Sequence, residues 1–224
     1  MRIRITFSKQ GALRYTGHLD LHKLWERAAR RAELPLAYSQ GFHPQPRMSL
    51  AAALPLGFSS TCEVLDMRLE SDIELEGLPA RLNATLPPGI QVTKVEPVDE
   101  RAPALQTQVA EAEYQVELKN PVDTSELKRK VESALASQSI LRERRGKKYD
   151  LRPLIHSVEL MGDTIVMRLA AREGATGRPE EVLDVLGIAF EETRIERTRL
   201  IIKSPSPTEE IASPHPPFKA RGSQ

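Results

Sequence analysis

The segment from Tyr38 to Arg47 brings several kinds of reactive side chain together in a short stretch of sequence. Within ten positions it combines a hydroxyl, an amide, an imidazole, a guanidinium and two aromatic rings, and its expected ligand contacts are Ser39, Gln40, Phe42, His43 and Arg47. Aromatic rings can stack on an unpaired base while a guanidinium binds phosphate, a combination typical of single-stranded RNA recognition. In the alternative interpretation the segment is a structural loop, and the core is then the favoured position for Phe42.

A second candidate site lies between the first expected strand and the first expected helix. Its residues are Lys9, Arg14, Tyr15 and His18. A strand-to-helix turn can present backbone N–H groups and the positive end of the helix dipole to an anion. The alternative is an ordinary turn in which Thr16 or Asp20 caps the helix. Spacing alone favours the ordinary turn, because the pattern is not a recognised phosphate loop.

Metal binding and independent catalysis receive weak support. His18, His22 and Glu26 recur every fourth residue, and the two histidines could ligate a metal with His43, but a convincing remaining ligand is lacking and no metal site is predicted. Asp150 could serve as a general base only if it were buried beside a substrate, and pairing with a neighbouring basic residue is favoured. An independent enzyme is therefore the least favoured interpretation.

Basic residues concentrate in two regions of a chain whose formal net charge is only +1. Residues 1–50 contain nine Lys or Arg and three acidic residues, and the expected contacts on the first helix are Arg27, Arg30 and Arg31. Residues 142–152 contain six basic and two acidic residues, with expected contacts at Arg144, Arg145, Lys147, Lys148 and Arg152. Such clusters suit a nucleic-acid backbone, although charge runs are also common on solvated faces.

The elements that must position these residues follow from hydrophobic periodicity. Residues 1–100 predict the order strand, helix, strand, strand, helix, strand, and residues 111–203 predict a second set of the same kind. The expected fold class is α+β, with two ferredoxin-like (split βαβ) units in tandem. Residues 204–224 are rich in Pro, Ser and charge, which predicts a disordered tail.

Composition excludes several classes of protein. The single cysteine, Cys62, excludes an intramolecular disulfide and the three-cysteine set that holds an iron–sulfur cluster. No apolar run approaches the roughly 20 residues that cross a bilayer, and the N-terminal residues lack the apolar core of a signal peptide. We therefore expect a cytoplasmic protein without a cofactor of its own.

Taken together, the motifs resemble one bacterial family, the radical-SAM-associated (radical-SAM-linked) domain of unknown function. The resemblance is specific in the first 65 residues, is looser up to residue 203, and rests on the segments Phe7 to Asp20, Arg27 to Pro35, Ser39 to Arg47, Leu54 to Gly57 with Glu63, Asp150 to Pro153 and Arg178 to Leu183.

Members of that family occur as separate chains or fused behind a radical SAM enzyme. The resemblance therefore implies a radical SAM partner in trans, with the iron–sulfur cluster and S-adenosylmethionine in that partner, and it transfers no catalytic residue. The predicted function is an accessory protein that presents tRNA or rRNA for modification. The alternative is a protein-interaction module in which Arg27, Arg30 and Arg31 dock on an acidic surface of the enzyme.

Overall fold

Alternation in the first strand sets one face of the fold, because Ile3, Ile5 and Phe7 all point to the same side and are fully buried. The computed structural model describes residues 1–203. The elements of its first half are β1 (Arg2–Lys9), α1 (His18–Arg31), β2 (Met48–Leu50), β3 (Ser59–Arg68), α2 (Leu78–Asn83) and β4 (Ile90–Val98). The α1 helix buries Leu21, Trp25, Ala28 and Ala29, and the Trp25 ring meets Phe7 edge-on with centroids 4.8 Å apart.

The second half repeats this pattern with insertions. Its elements are α3 (Leu105–Gln108), β5 (Val109–Leu118), α4 (Thr124–Ala136), β6 (Leu141–Arg144), β7 (Lys147–Asp150), β8 (Ile155–Met161), β9 (Thr164–Arg172), β10 (Ala175–Thr176), α5 (Pro179–Leu186) and β11 (Thr193–Ile202). The Asp123 side chain caps α4 by accepting hydrogen bonds from the N–H groups of Ser125 and Glu126. Proline begins α5 and Gly187, at φ +74°, ends it.

Nine strands form one sheet across both halves, in the order β10-β9-β5-β11-β3-β1-β4, with β2 also paired to β3 and β8 to β9. The partial orders β4-β1-β3-β2 and β11-β5-β9-β8 are antiparallel throughout and are compatible with the predicted split βαβ units. The α+β class is confirmed. The boundaries of the two units stay predictions, and the predicted tail lies outside the described residues.

A short parallel contact between β3 and β11 joins the halves, with Glu196 beside Ser59 and Arg197 beside Ser60. Arg197 crosses this junction to Glu63, with Nε 2.9 Å from Oε1 and Nη2 2.5 Å from Oε2. The two side chains are 1% and 3% exposed. We call this pair the junction ion pair. It is buried and bidentate, which are the conditions under which an ion pair fixes geometry.

The structure departs from the predicted elements in four places. The sequence of residues 36–38 is compatible with a short strand, but the structure has only two isolated bridges there, Leu36 to Leu69 and Tyr38 to Pro46. The apolar pattern of residues 75–86 predicts the second helix over that whole range, but α2 begins only after Gly77, which has φ +71°. The β6–β7 hairpin and α3 were not predicted. Among residues 1–203, no helix has the length and apolar character that spanning a membrane requires.

Candidate nucleic-acid interface

The polar side of α1 carries a row of cations at four-residue intervals. Lys23, Arg27 and Arg31 share one helix face because side chains four positions apart lie one above the other. All three are exposed. They line a cleft of about 430 Å³ together with Thr16, Asp20 and the turn from Thr85 to Pro87. We call this cleft the α1 groove.

Charge in the α1 groove is not balanced from within the fold. None of its three cations forms an ion pair with another residue in the described part of the chain. Among residues 1–203, Asp20 is the one carboxylate that lines the cleft. Lys23 was not among the predicted contacts, although its spacing from Arg27 was the signal that could have identified it.

Arg30 lies apart from the α1 groove, so the structure divides the three arginines predicted as one set. Its Nη2 lies 2.7 Å from Oε1 of Glu26, and its Nε donates to the Tyr38 hydroxyl at 3.1 Å. The guanidinium carbon also lies 5.8 Å from the centre of the Tyr38 ring. The hydrogen bond to Tyr38 is the main cause that raises the Arg30 pKa, followed by the charges of Tyr38 and Glu26. Arg30 thus anchors the start of the following loop.

The loop from Ser39 to Arg47 is held by its own backbone and presents its tip to solvent. The Ser39 N–H donates to the Gln45 carbonyl at 2.8 Å, and the Gln45 N–H donates to Ser39 Oγ at 3.0 Å. Gln40, Phe42 and His43 are exposed. The core position favoured for Phe42 is wrong: its side chain is fully exposed, at 102%. Gly41, at φ +131°, supplies the backbone geometry of this tip.

Arg47, at the end of that loop, does not line the α1 groove. It lines a cleft of about 340 Å³ with Arg2, Asp66 and Arg68. Asp66 is already engaged, since it accepts from Arg2 Nη2 at 2.6 Å and from Arg4 Nε at 2.8 Å. Burial, and after it the nearby charge of Arg47, lowers the Arg68 pKa. Arg47 therefore faces a cationic neighbourhood rather than the α1 groove.

In the segment between β1 and α1, the structure separates residues that were predicted to form one candidate site. Lys9 is only 1% exposed, its Nζ donates to the Thr16 carbonyl at 2.9 Å, and burial lowers its pKa. Arg14 stacks on Tyr15, with its guanidinium carbon 4.8 Å from the ring centre. Tyr15 is 63% exposed and His18 is also exposed. Lys9 supports the turn from inside, whereas Tyr15 and His18 face solvent.

The cap predicted for α1 is wrong. The residue at the N-cap position is Gly17, which has no side chain to accept a hydrogen bond from the first amides, and neither Thr16 nor Asp20 takes that position. As for metal binding, residues 1–203 include no group of three or more His, Cys, Asp or Glu side chains placed to hold an ion.

The basic region of the second half lies on the β6–β7 hairpin and the turn after it. Arg145, Lys147 and Lys148 are exposed and Arg144 is partly exposed. Arg152 differs from them, because its Nη2 donates to the Leu135 carbonyl at 2.8 Å and its Nη1 to the Ile155 carbonyl at 2.9 Å. Its guanidinium thereby satisfies a carbonyl at the end of α4.

Asp150 has a structural role in this turn. Its Oδ1 accepts hydrogen bonds from the backbone N–H of Ile140 at 2.8 Å and of Arg152 at 3.0 Å. The bond from Ile140 is the main cause that lowers the Asp150 pKa. A carboxylate held ionised by backbone donors is poorly suited to general-base chemistry.

Comparison with solved structures gives only distant likenesses. A crystal structure of a Cbf5–Nop10–Gar1 complex matches at 9% identity and TM-score 0.46, over 90% of this chain and 50% of that chain. The archaeal box H/ACA sRNP Nop10–Cbf5 complex matches at 11% identity and TM-score 0.43, over 90% and 49%. An unknown protein from Galdieria sulphuraria matches at 12% identity and TM-score 0.28, over 90% and 98%. This chain spans about half the length of the first two chains, and at these TM-scores none of the three supports a conclusion.

The sequence comparisons are more decisive. No curated protein sequence matches this chain. A family model described as "Uncharacterized protein conserved in bacteria (DUF2344)" matches residues 2–179. That range includes α1, the Ser39–Arg47 loop and the β6–β7 hairpin. The match confirms a bacterial family of unknown function, and the radical SAM association stays a prediction. The chain therefore belongs to the DUF2344 family of uncharacterized proteins conserved in bacteria.

Proposed function

We propose that this protein binds RNA and presents it to a separate radical SAM enzyme that modifies the RNA. The observation that carries the RNA part is the α1 groove, in which three cations converge on one cleft without a carboxylate partner of their own in residues 1–203. A row of cations in a concave surface is the electrostatic footprint of a polyanion site.

The length of the row favours a polymer over a small anion. Side chains four residues apart on a helix are separated by about 6 Å along the axis, so Lys23, Arg27 and Arg31 extend over about 12 Å. Successive phosphates of one strand can engage such a row together. The fully exposed Phe42 ring supplies a surface on which an unpaired base can stack.

The proposal of a radical SAM partner rests on the family resemblance and on the cluster-binding cysteines that this chain lacks. One cysteine is too few to hold an iron–sulfur cluster through thiolates. In the proposed division of labour, the partner carries the cluster and S-adenosylmethionine, and this chain binds and orients the RNA. We place this activity in the cytoplasm, where a lone thiol such as Cys62 stays reduced.

One observation favours the second candidate function, which is docking on the enzyme without RNA binding. Tyr15, Leu56 and Phe190 are 63%, 60% and 38% exposed. Tyr15 and Phe190 flank Gly57, since a Cβ atom there would lie 3.8 Å from the Phe190 ring and 3.9 Å from the Tyr15 ring. Residues from both halves thus form one exposed apolar surface, which is typical of protein interaction sites.

The RNA part is tested by charge reversal in the α1 groove. Labelled tRNA and rRNA fragments are titrated with the wild type, with Arg27→Glu/Arg31→Glu, and with the control Lys128→Glu/Arg129→Glu, whose residues are exposed on α4 and line neither the α1 groove nor the cleft at Arg47. We expect the groove variant to lose affinity by on the order of 100-fold, since each charged hydrogen bond contributes about 1.5 kcal/mol or more. Equal affinity of the two variants contradicts RNA binding by the α1 groove, and absence of binding by the wild type at low salt contradicts RNA binding altogether.

The docking candidate is separated from RNA binding by a second variant. Leu56→Asp should prevent co-purification of an enzyme that contains an iron–sulfur cluster and binds S-adenosylmethionine, while Met161→Asp, at a comparably exposed apolar position, should not. If Leu56→Asp releases such an enzyme and the wild type binds no RNA, docking alone is the function. An unchanged yield of the enzyme argues against docking at this surface.

A further inference from the structure

The turn of the β6–β7 hairpin contains a residue type that is unfavourable for the stability of the fold. Arg145 and Gly146 connect the strands, and both have positive φ, +49° and +75°. Two-residue turns of this geometry favour Asn, Asp or Gly, because other side chains are strained at positive φ. An arginine at this position places a guanidinium at the tip of the hairpin at the expense of backbone strain.

The strands beside this turn add a second unfavourable feature. Arg144 lies directly opposite Lys147 in the antiparallel register, and the next pair is Glu143 opposite Lys148. Like charges that face each other across strands are destabilising. Within residues 1–203, none of Arg144, Arg145 and Lys147 forms an ion pair. The fold does not compensate this positive charge from inside, so an external anion is the natural counter-charge.

A cleft of about 450 Å³ opens beside the hairpin, and we call it the hairpin cleft. Arg144 and Lys147 line it together with Arg178, Tyr149 and Thr176. Arg178 is the N-cap residue that precedes α5, and its Nη1 lies 3.5 Å from Oε1 of Glu180, which is a loose ion pair. Three cations therefore surround a space that also exposes a hydroxyl and part of a phenol ring.

The acid in the hairpin cleft does not neutralise it. Asp150 also lines the cleft, but its carboxylate already accepts two backbone hydrogen bonds that hold the turn. The cleft thus keeps a positive excess, as the α1 groove does. The two clefts share one composition, which is three cations, one acid and at least one threonine hydroxyl.

We propose that the hairpin cleft is a second RNA-binding site, in which Arg144, Lys147 and Arg178 bind backbone phosphates and Tyr149 contacts a sugar or base. This inference rests on the proposed RNA binding by the α1 groove and extends it to the second half of the chain. Guanidinium groups bind phosphate oxygens in bidentate fashion, and a tyrosine ring beside them is typical of RNA contacts rather than of a site for a small inorganic anion.

The test measures the affinity for a labelled tRNA transcript over a salt series. Four proteins are compared: the wild type, Arg27→Glu/Arg31→Glu, Arg144→Glu/Lys147→Glu and the control Lys128→Glu/Arg129→Glu. We expect the hairpin variant to bind more weakly than the control, with a salt slope reduced by about one for each phosphate that the variant no longer binds. Arg178→Gln, which leaves the hairpin sequence intact, should weaken binding in the same direction, and thermal unfolding confirms that each variant is folded.

The outcomes separate this inference from the function on which it rests. If Arg27→Glu/Arg31→Glu loses RNA while both hairpin-cleft variants match the control, the second site is overturned and the proposed function stands. If the hairpin variants keep RNA but lose the co-purifying enzyme, the cleft binds protein and the inference is wrong. If the wild type binds no RNA at low salt, both proposals fail.

Discussion

The junction ion pair and the α1 groove both depend on arginine, but the fold treats the two regions in opposite ways. Arg197 and Glu63 are almost fully buried, and each satisfies the other's charge. In the α1 groove, Lys23, Arg27 and Arg31 are exposed and lack an acidic partner among residues 1–203. A buried charge needs its partner within the fold, whereas an exposed charge tolerates its absence and remains able to bind. The difference teaches that charge compensation, rather than charge count, distinguishes cations that stabilise the fold from cations that remain available to bind.

The largest expected effect comes from breaking the junction ion pair. Arg197→Met leaves the Glu63 carboxylate buried without its counter-charge, and loss of one partner of a buried pair costs about 3–5 kcal/mol. Urea unfolding followed by circular dichroism should show this loss in the free energy of unfolding. The double variant Arg197→Met/Glu63→Met should recover most of the stability, and Arg27→Glu/Arg31→Glu should change it little. A single variant as stable as the wild type would mean that the pair does not join the halves.

The second effect concerns the reactivity of the Cys62 thiol, which is next in sequence to Glu63 of the junction ion pair. Burial is the main cause that raises the pKa of Cys62 to about 11 from 9.0. A shift of this size lowers the thiolate fraction at pH 8 by about 100-fold, so alkylation of the folded protein should be slower than that of the urea-unfolded chain by about this factor. Equal rates in the two states would show that Cys62 is not shielded.

The raised pKa of Cys62 determines whether its contribution to the free energy of unfolding rises or falls with pH. Between pH 9 and about 11 the unfolded chain loses the Cys62 proton while the folded protein keeps it. The folded state therefore binds more protons, and the contribution of Cys62 to the free energy of unfolding decreases as pH rises through this window. Cys62→Ser should remove that part of the decrease, which is measured by urea unfolding at several pH values.

The smallest effect concerns the loop tip and sharpens the contrast between buried and exposed rings. Phe42→Ala should leave stability almost unchanged, because a fully exposed ring contributes little to the core. It should weaken RNA binding by about 1–3 kcal/mol, the contribution of one stacked base. Met161→Ala, an exposed apolar truncation away from the loop, is the matched control for both measurements. A loss of stability without a loss of RNA affinity would show that Phe42 supports the fold and does not bind RNA.

Local periodicity predicted the elements whose apolar faces are buried. The stripe of Leu21, Trp25 and Ala28 predicts α1, and Pro179 at a helix start predicts α5, both of which the structure contains. The β6–β7 hairpin escaped prediction because its strands are mostly charged and lack a buried face to produce alternation. The β3–β11 contact joins residues more than 130 positions apart, and such pairing leaves no local signal.

The candidate site was partly predictable for a related reason. Helical spacing was sufficient to place Arg27 and Arg31 on one face, and it could have added Lys23. Burial of Lys9 and exposure of Phe42 depend on how the loops pack, and residue type alone gives the opposite expectation in both cases. Residue chemistry thus singled out candidate segments, and only the fold divided their side chains into buried and exposed groups.

The most direct test of the central claim is the salt dependence of RNA binding with the α1 groove neutralised rather than reversed. For Lys23→Ala/Arg27→Ala/Arg31→Ala, the slope of log affinity against log salt should be smaller than for the wild type by about two to three, at roughly 0.7–0.9 for each phosphate that the variant no longer neutralises. Lys128→Ala/Arg129→Ala should keep the wild-type slope. If the triple variant also keeps that slope, the α1 groove does not bind RNA phosphates, and the account of its unpaired cations is contradicted.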